Sequence, residues 1–201
     1  SGAGKTVAAK HIMQYVAAVS GKDPKIEYVK SVILDSNPLL EAFGNAKTLR
    51  NDNSSRFGKY FEIQFDGKSD PCGGHITVYL LEKSRVIGPG KDQRNFHFFY
   101  QFLAGASQDV AQYYQLYSAD NFYYLNQSGC YTVDTIDDVK DYAEVLEAMN
   151  VLGFDQTEQG NVHGIVAAIL HLGNVAFHDN GKGGADVSYP EVLQLPPPPL
   201  P

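Results

Sequence analysis

Ser1-Gly2-Ala3-Gly4-Lys5-Thr6 reads as the closing part of a G-x-x-x-x-G-K-[ST] phosphate loop. In that motif successive backbone N–H groups cradle phosphate oxygens, and the glycines permit both the dihedrals and the close approach the cradle needs. Lys5 would reach the β/γ-phosphates, Thr6 would place its hydroxyl on Mg²⁺, and the helix behind them would aim its positive end at the anion. The run Val7, Ala8, Ile12, Tyr15, Val16, Val19 has the apolar spacing of that helix. A nucleotide such as ATP, with Mg²⁺, is the expected ligand, with Ser1 to Thr6 as its phosphate-binding residues.

Outward from the loop the period alternates. Ile26, Val29, Val32 and Ile33 recur at helical spacing, and Asn37-Pro38 is expected to open a second, short helix through Leu39, Leu40 and Phe43. Phe61, Ile63 and Phe65 then alternate with polar residues, as do Ile76, Val78 and Leu80 after a turn-rich stretch, which predicts an antiparallel strand pair. Helical spacing returns with Phe96, Phe99, Tyr100 and Leu103, with Tyr142, Val145, Leu146 and Met149 behind an expected capping box at Thr135-x-x-Asp138, and with Val162, Ile165, Val166, Ile169 and Leu170. The chain ends in Leu195-Pro196-Pro197-Pro198-Pro199-Leu200-Pro201, which favours polyproline II.

Composition narrows the function classes. The 201 residues are 43% apolar, enough for a core, and the net charge of −7 argues against a nucleic-acid binder, since no Lys/Arg excess is available to neutralise phosphates. Cys72 and Cys130 stand far apart without a C-x-x-C partner, which fits reduced thiols better than a disulfide framework or a zinc site. His163 and His171, i and i+8 on one apolar helix without nearby carboxylates, read as packing or surface residues rather than metal ligands.

The second informative stretch is Asn51-Asp52-Asn53-Ser54-Ser55-Arg56-Phe57-Gly58-Lys59. Two hydroxyls beside amides and an arginine, downstream of a phosphate loop, suit a γ-phosphate sensor. One hydroxyl serves Mg²⁺, one the terminal phosphate and its attacking water; amides steady phosphate oxygens, and a guanidinium latches the loop.

These residues, with Asn37 to Thr48, Tyr79-Leu80-Leu81-Glu82-Lys83-Ser84-Arg85-Val86 and Arg94-Asn95-Phe96-His97-Phe98-Phe99-Tyr100-Gln101, resemble the head of a myosin, and of the class I branch in particular. The resemblance implies an α/β fold: part of a P-loop NTPase-like motor core with a mixed sheet, flanking helices and a helical subdomain. Residues 1–177 would run from the phosphate loop to the upper actin-binding region, and 178–201 would be an atypical tail. By that likeness Thr6 and Ser55 flank Mg²⁺, Lys5, Asn51 and Asn53 hold the nucleotide, Ser54 positions the lytic water, and Arg56 pairs with a switch II glutamate. The strands around Phe61–Phe65 and Ile76–Leu81 look like transducer strands. Actin is the implied partner, with a light chain or calmodulin bound through other segments, a proline-motif binder at the C-terminus, and a cytoplasmic, cortical location. Departures are Gln93 where a glutamate is expected, the oligoproline end, and a sequence in which no Asp-x-x-Gly-Phe-Glu switch II occurs. The expectation is therefore a truncated product whose isolated chain hydrolyses ATP at no more than background. A non-catalytic proline-rich interaction segment and a P-loop nucleotide kinase are the alternatives.

Overall fold

Residues 4–21 and 23–188 are described by the computed structural model; Ser1, Gly2, Ala3 and the oligoproline segment lie outside the described residues. Helix α1 spans Lys5–Val19, starting at Gly4, whose φ of 77° is the left-handed conformation a glycine tolerates. It packs on α2, and Met13 is buried while Val7, Ile12, Tyr15 and Val19 stay exposed.

Helix α2 runs unbroken over Pro24–Gly44 with Pro38 inside it, where a separate helix was expected to begin. The reason is local. Proline cannot donate to the carbonyl four residues back, but Asn37 Nδ2 donates to that carbonyl, Leu34 O, at 3.1 Å. The other end of the same amide, Asn37 Oδ1, accepts from Lys59 Nζ at 2.6 Å. A helix interior that ordinarily breaks at proline is thereby kept continuous.

Three separate antiparallel ladders form among the described residues, where a single mixed sheet was expected. Strands β1 (Asn45–Thr48) and β2 (Asn51–Ser55) pair as Asn45↔Ser55 and Ala46↔Ser54, with a bulge before Thr48↔Asn51. Strands β3 (Gly58–Phe65) and β4 (Pro71–Tyr79) pair from Gly58↔Tyr79 to Phe65↔Pro71, as their alternation predicts. Strands β5 (Phe177–Asp179) and β6 (Ala185–Val187) form a third hairpin. Each strand meets its partner across a short turn; a parallel pairing needs a crossover of a dozen or more residues.

The helical part comprises α3 (His97–Gly105), α4 (Gln108–Tyr113), α5 (Tyr123–Asn126), α6 (Asp138–Val151) and α7 (Gln156–Gly173). Its core is aromatic. Phe98 stacks on Phe43 of α2 with centroids 4.2 Å apart, and Phe102 stacks on His163 at 4.8 Å. Phe98, Phe102, Phe122, Leu125, Val145, Met149 and Leu170 are fully buried, each side chain contributing about 1.5–3 kcal/mol of burial. Gly105 lies against Tyr142, where an added Cβ would sit 2.5 Å from the ring.

The capping expectation at Thr135 is corrected. Asp137 caps α6 by accepting from Lys140 N, and the Thr135 hydroxyl instead donates to Asp52 Oδ2 at 2.7 Å, tying α6's approach to β2. The full capping box belongs to Asp155 and Glu158 of α7. His163 and His171 are buried packing residues, bonded to the Tyr142 hydroxyl and to Tyr114 O. Cys72 and Cys130 are unpaired. Among the described residues no helix is long and apolar enough to cross a membrane.

Candidate functional site

The polar stretch after α2 is a strand and its exit. Residues 51–55 form β2, and the Asn51 side chain helps shape the turn into it by accepting from Asn53 N at 3.0 Å. Arg56 then leaves the strand between two anchors: its N–H donates to Gly44 O at the end of α2 (2.8 Å), and its carbonyl accepts from Glu82 N (2.9 Å). Gly44 cannot be larger, because a Cβ there would collide with the Phe57 ring.

These anchors bring Ser54 and Arg56 together. Ser54 is 2% exposed, and Arg56 Nη1 donates to its Oγ at 3.4 Å. Arg56 Nε donates to Glu82 Oε2 at 2.7 Å, the same oxygen that accepts from Arg85 Nε at 2.7 Å. The hydrogen bond from Arg56, then that from Arg85, holds the Glu82 carboxyl below its usual range against the opposing effect of burial, and Glu82 raises Arg56 in turn. Both side chains keep about a third of their surface in water, so the pair stabilises the fold by no more than about 1 kcal/mol. Its use is geometric, because it fixes the direction of a guanidinium. Arg85 extends the network, donating to Arg94 O and to Gln93 Oε1. Gln93, where the family likeness expects a glutamate, serves there as a neutral acceptor.

Asn53 belongs to a different group. Its Oδ1 accepts from Asn45 Nδ2 at 2.8 Å and lies 3.2 Å from His97 Nε2, while its Nδ2 donates to Glu41 Oε2 at 3.0 Å. Ser55 follows on β2, paired with Asn45. Lys5 and Thr6 open α1, with their side chains outside the described residues, as Ser1, Gly2 and Ala3 are altogether. Sequence reasoning missed Glu82, Arg85, Glu41, Asn45 and His97. Glu82 lies inside a quoted stretch, but nothing local in it signals a partner 26 residues back.

Two features bear on a nucleotide. The N-terminus of α1 has no side-chain cap and no acidic residue in its first turn, so its backbone N–H groups are a ready cradle for an anion. Hydroxyls such as those of Thr6 and Ser55 suit Mg²⁺, which takes oxygen ligands and keeps several waters. Among the described residues no cluster of His, Cys, Asp and Glu would itself hold a metal.

A family model described as "Myosin head (motor domain)" matches residues 1–194. The chain is 62% identical over 195 residues to Myosin IB heavy chain of Dictyostelium discoideum, an alignment covering 97% of this chain and 18% of that protein. It is 64% identical over 187 residues to Myosin heavy chain IB of Acanthamoeba castellanii (93% and 16%), and 60% identical over 187 residues to Myosin ID heavy chain of Dictyostelium discoideum (93% and 17%). The chain thus spans less than a fifth of the length of these relatives.

Proposed function

The chain belongs to the myosin head family, and from that premise we propose that it supplies the phosphate loop and switch I of a class I, actin-activated ATPase, within a P-loop NTPase-like motor core. The observation that carries this reading is the arrangement around Arg56. A buried hydroxyl at Ser54 on β2 meets a guanidinium directed by Glu82 where the chain leaves the strand, and there the Arg56 backbone is bonded both to α2 and to the segment after β4. Phosphoryl transfer asks little covalent chemistry of a protein and much positioning.

In this reading Ser1 to Thr6 cradle ATP, Lys5 and Asn51 meet its phosphate oxygens, and Ser54 orients the attacking water. Arg56 gives up Glu82 for a switch II glutamate when the site closes. Thr6 and Ser55 would hold Mg²⁺, which when bound neutralises charge on the β/γ-phosphates. Strands β3 and β4 would carry nucleotide state towards an actin-binding surface. Actin filaments are the proposed partner, light chains or calmodulin would bind other segments of a longer heavy chain, and the proline-rich end would suit an aromatic-grooved domain. The proposed location is the cortical actin cytoskeleton.

Lys5→Ala, made in the motor head, is expected to weaken ATP binding, because it removes the cation facing the β/γ-phosphates. Unchanged affinity in a fluorescent-nucleotide titration would overturn the phosphate-loop assignment.

A further inference from the structure

One oxygen of the Glu82 carboxylate serves two guanidiniums: Oε2 accepts from Arg56 Nε and from Arg85 Nε, each at 2.7 Å. The two arginines are held very differently. The Arg85 side chain is 6% exposed and is fixed at its far end, where Nη1 donates to Arg94 O at 3.0 Å and Nη2 to Gln93 Oε1 at 3.2 Å. The Arg56 side chain is 28% exposed, and its bond to Ser54 Oγ, at 3.4 Å, is longer than a well-formed N–H···O contact. Arg56 is therefore the one able to leave.

What leaving costs depends on the partner left behind. A half-buried carboxylate deprived of its only cation loses a charge-assisted bond and keeps its desolvation. Glu82 does not face that loss. Its carboxyl is held below the usual range by the bond from Arg56 first and, against burial, by the bond and then the charge of Arg85, and the Arg85 contributions survive when Arg56 goes. Two like charges gathered on one oxygen also repel each other, and the repulsion falls on the side chain that can move. Of the three acceptors that Arg85 serves only Glu82 is charged, because Gln93 is neutral and Arg94 offers its carbonyl, so neither of those draws on the Arg85 charge.

We infer that Arg85 is a positioning residue for the hydrolytic step: by staying on Glu82 it makes Arg56 exchangeable, and Gln93, by staying neutral, keeps that exchange easy. The inference rests on the reading that Arg56 trades Glu82 for a switch II glutamate as the site closes, and it adds what becomes of the carboxylate left behind. Without Arg85, Glu82 would have Arg56 as its cation and would hold it. The closed site would then form less often, because the open arrangement alone gains from the tighter pair.

The test is the chemical step of ATP hydrolysis, measured by quench-flow in the motor head, for Arg56→Ala, Arg85→Met, Arg85→Lys and Gln93→Glu, and for Arg85→Met and Gln93→Glu each combined with Glu82→Gln. Arg85→Met is expected to slow the step roughly threefold to fivefold, the scale of a partly exposed ion pair. Adding Glu82→Gln should restore most of the loss, since the trap is the uncompensated carboxylate. Arg85→Lys keeps the charge but gives up the fork to Arg94 O and Gln93, and is expected to stay within about twofold of the parent. Gln93→Glu, nearly isosteric at a half-buried position, stands in should Arg85→Met fail to fold; by drawing on the Arg85 charge it should slow the step about twofold, again relieved by Glu82→Gln. A role for Arg85 as scaffold alone predicts the opposite pattern, with lysine as damaging as methionine and Glu82→Gln adding to the damage, and that pattern would overturn the inference. So would a normal step in both Arg85→Met and Gln93→Glu. If Arg56→Ala still slows the step, those results leave the reading of Arg56 standing; a normal step in Arg56→Ala would overturn both.

Discussion

Acidification from pH 7.5 to pH 5 is expected to destabilise this chain chiefly through His97. Burial, then Arg94, depresses the ring from 6.5 to about 4, with Asp52 opposing. The folded state therefore favours the neutral ring. Its contribution is complete above pH 6.5 and is lost as pH falls towards the folded value. At ~1.36 kcal/mol per pH unit the whole gap is worth about 3 kcal/mol, of which about 2 kcal/mol is gone by pH 5. That is a large part of the roughly 5–15 kcal/mol that holds a domain together. Glu82 and Asp66, whose carboxyls are held low, lose their contributions only below their ordinary values of 4.5 and 3.8, and Asp141, whose carboxyl burial raises, is favoured by acid, so none of the three accounts for a loss of stability above pH 5. His163, also lowered by burial, shares that interval. The assay is urea unfolding at pH 7.5 and pH 5 for the parent chain and for His97→Gln, the difference between the two isolating His97. An identical pH dependence in both, or a His97 ring that titrates near 6.5 by NMR, would refute the reasoning.

Arg56→Ala in the motor is expected to leave ATP binding near normal and to slow hydrolysis by roughly two orders of magnitude, the scale of a lost transition-state electrostatic contact; a normal chemical step in quench-flow would contradict it. Asn95→Ala should cost about 2–5 kcal/mol in urea unfolding, because the fully buried Asn95 amide donates to Val86 O and Tyr124 O and its oxygen accepts from Phe96 N. A loss well under 1 kcal/mol would mean those carbonyls find other donors. Gly105→Ala should destabilise by about 1–3 kcal/mol despite alanine's helix propensity, since its Cβ would lie 2.5 Å from the Tyr142 ring; a raised thermal midpoint would show that Tyr142 yields freely.

Element types were legible where burial repeats with a fixed period. The alternation through Phe61, Ile63 and Phe65 predicted β3, and the spacing of Tyr142, Val145 and Met149 predicted the buried side of α6. The fate of Pro38 was not legible, because it turns on the side chain of Asn37 reaching back to one carbonyl, a detail no periodicity carries. The capping of α6 was misread for a related reason: Thr135 has the right chemistry, but Asp52, 83 residues away, uses its hydroxyl. In the candidate site the motif singled out Ser54 and Arg56, which the structure places in contact. It did not announce that Arg56 turns to Glu82, or that Asn53 turns away to Asn45 and Glu41, since both follow from how β2 sits against α2 and the segment after β4.

Asn37, which keeps α2 continuous through Pro38, also belongs to a set of bonds that decides how the polar strand β2 can travel. Asn37 holds Lys59 of β3, Glu41 holds Asn53 of β2, and Gly44 holds the backbone of Arg56, so three successive turns of one helix grip the polypeptide on both sides of the motif. Displacing Ser54 relative to that helix strains the bonds on either side of it, at Asn53 and Arg56. The low-cost degree of freedom is a rotation of helix and strands as one lever, with the bending relegated to positions such as Leu80, whose φ of 55° already places a bulky residue in the left-handed region. Nucleotide chemistry at Arg56 would then be felt as torque on a helix 21 residues long rather than as the flicker of a loop.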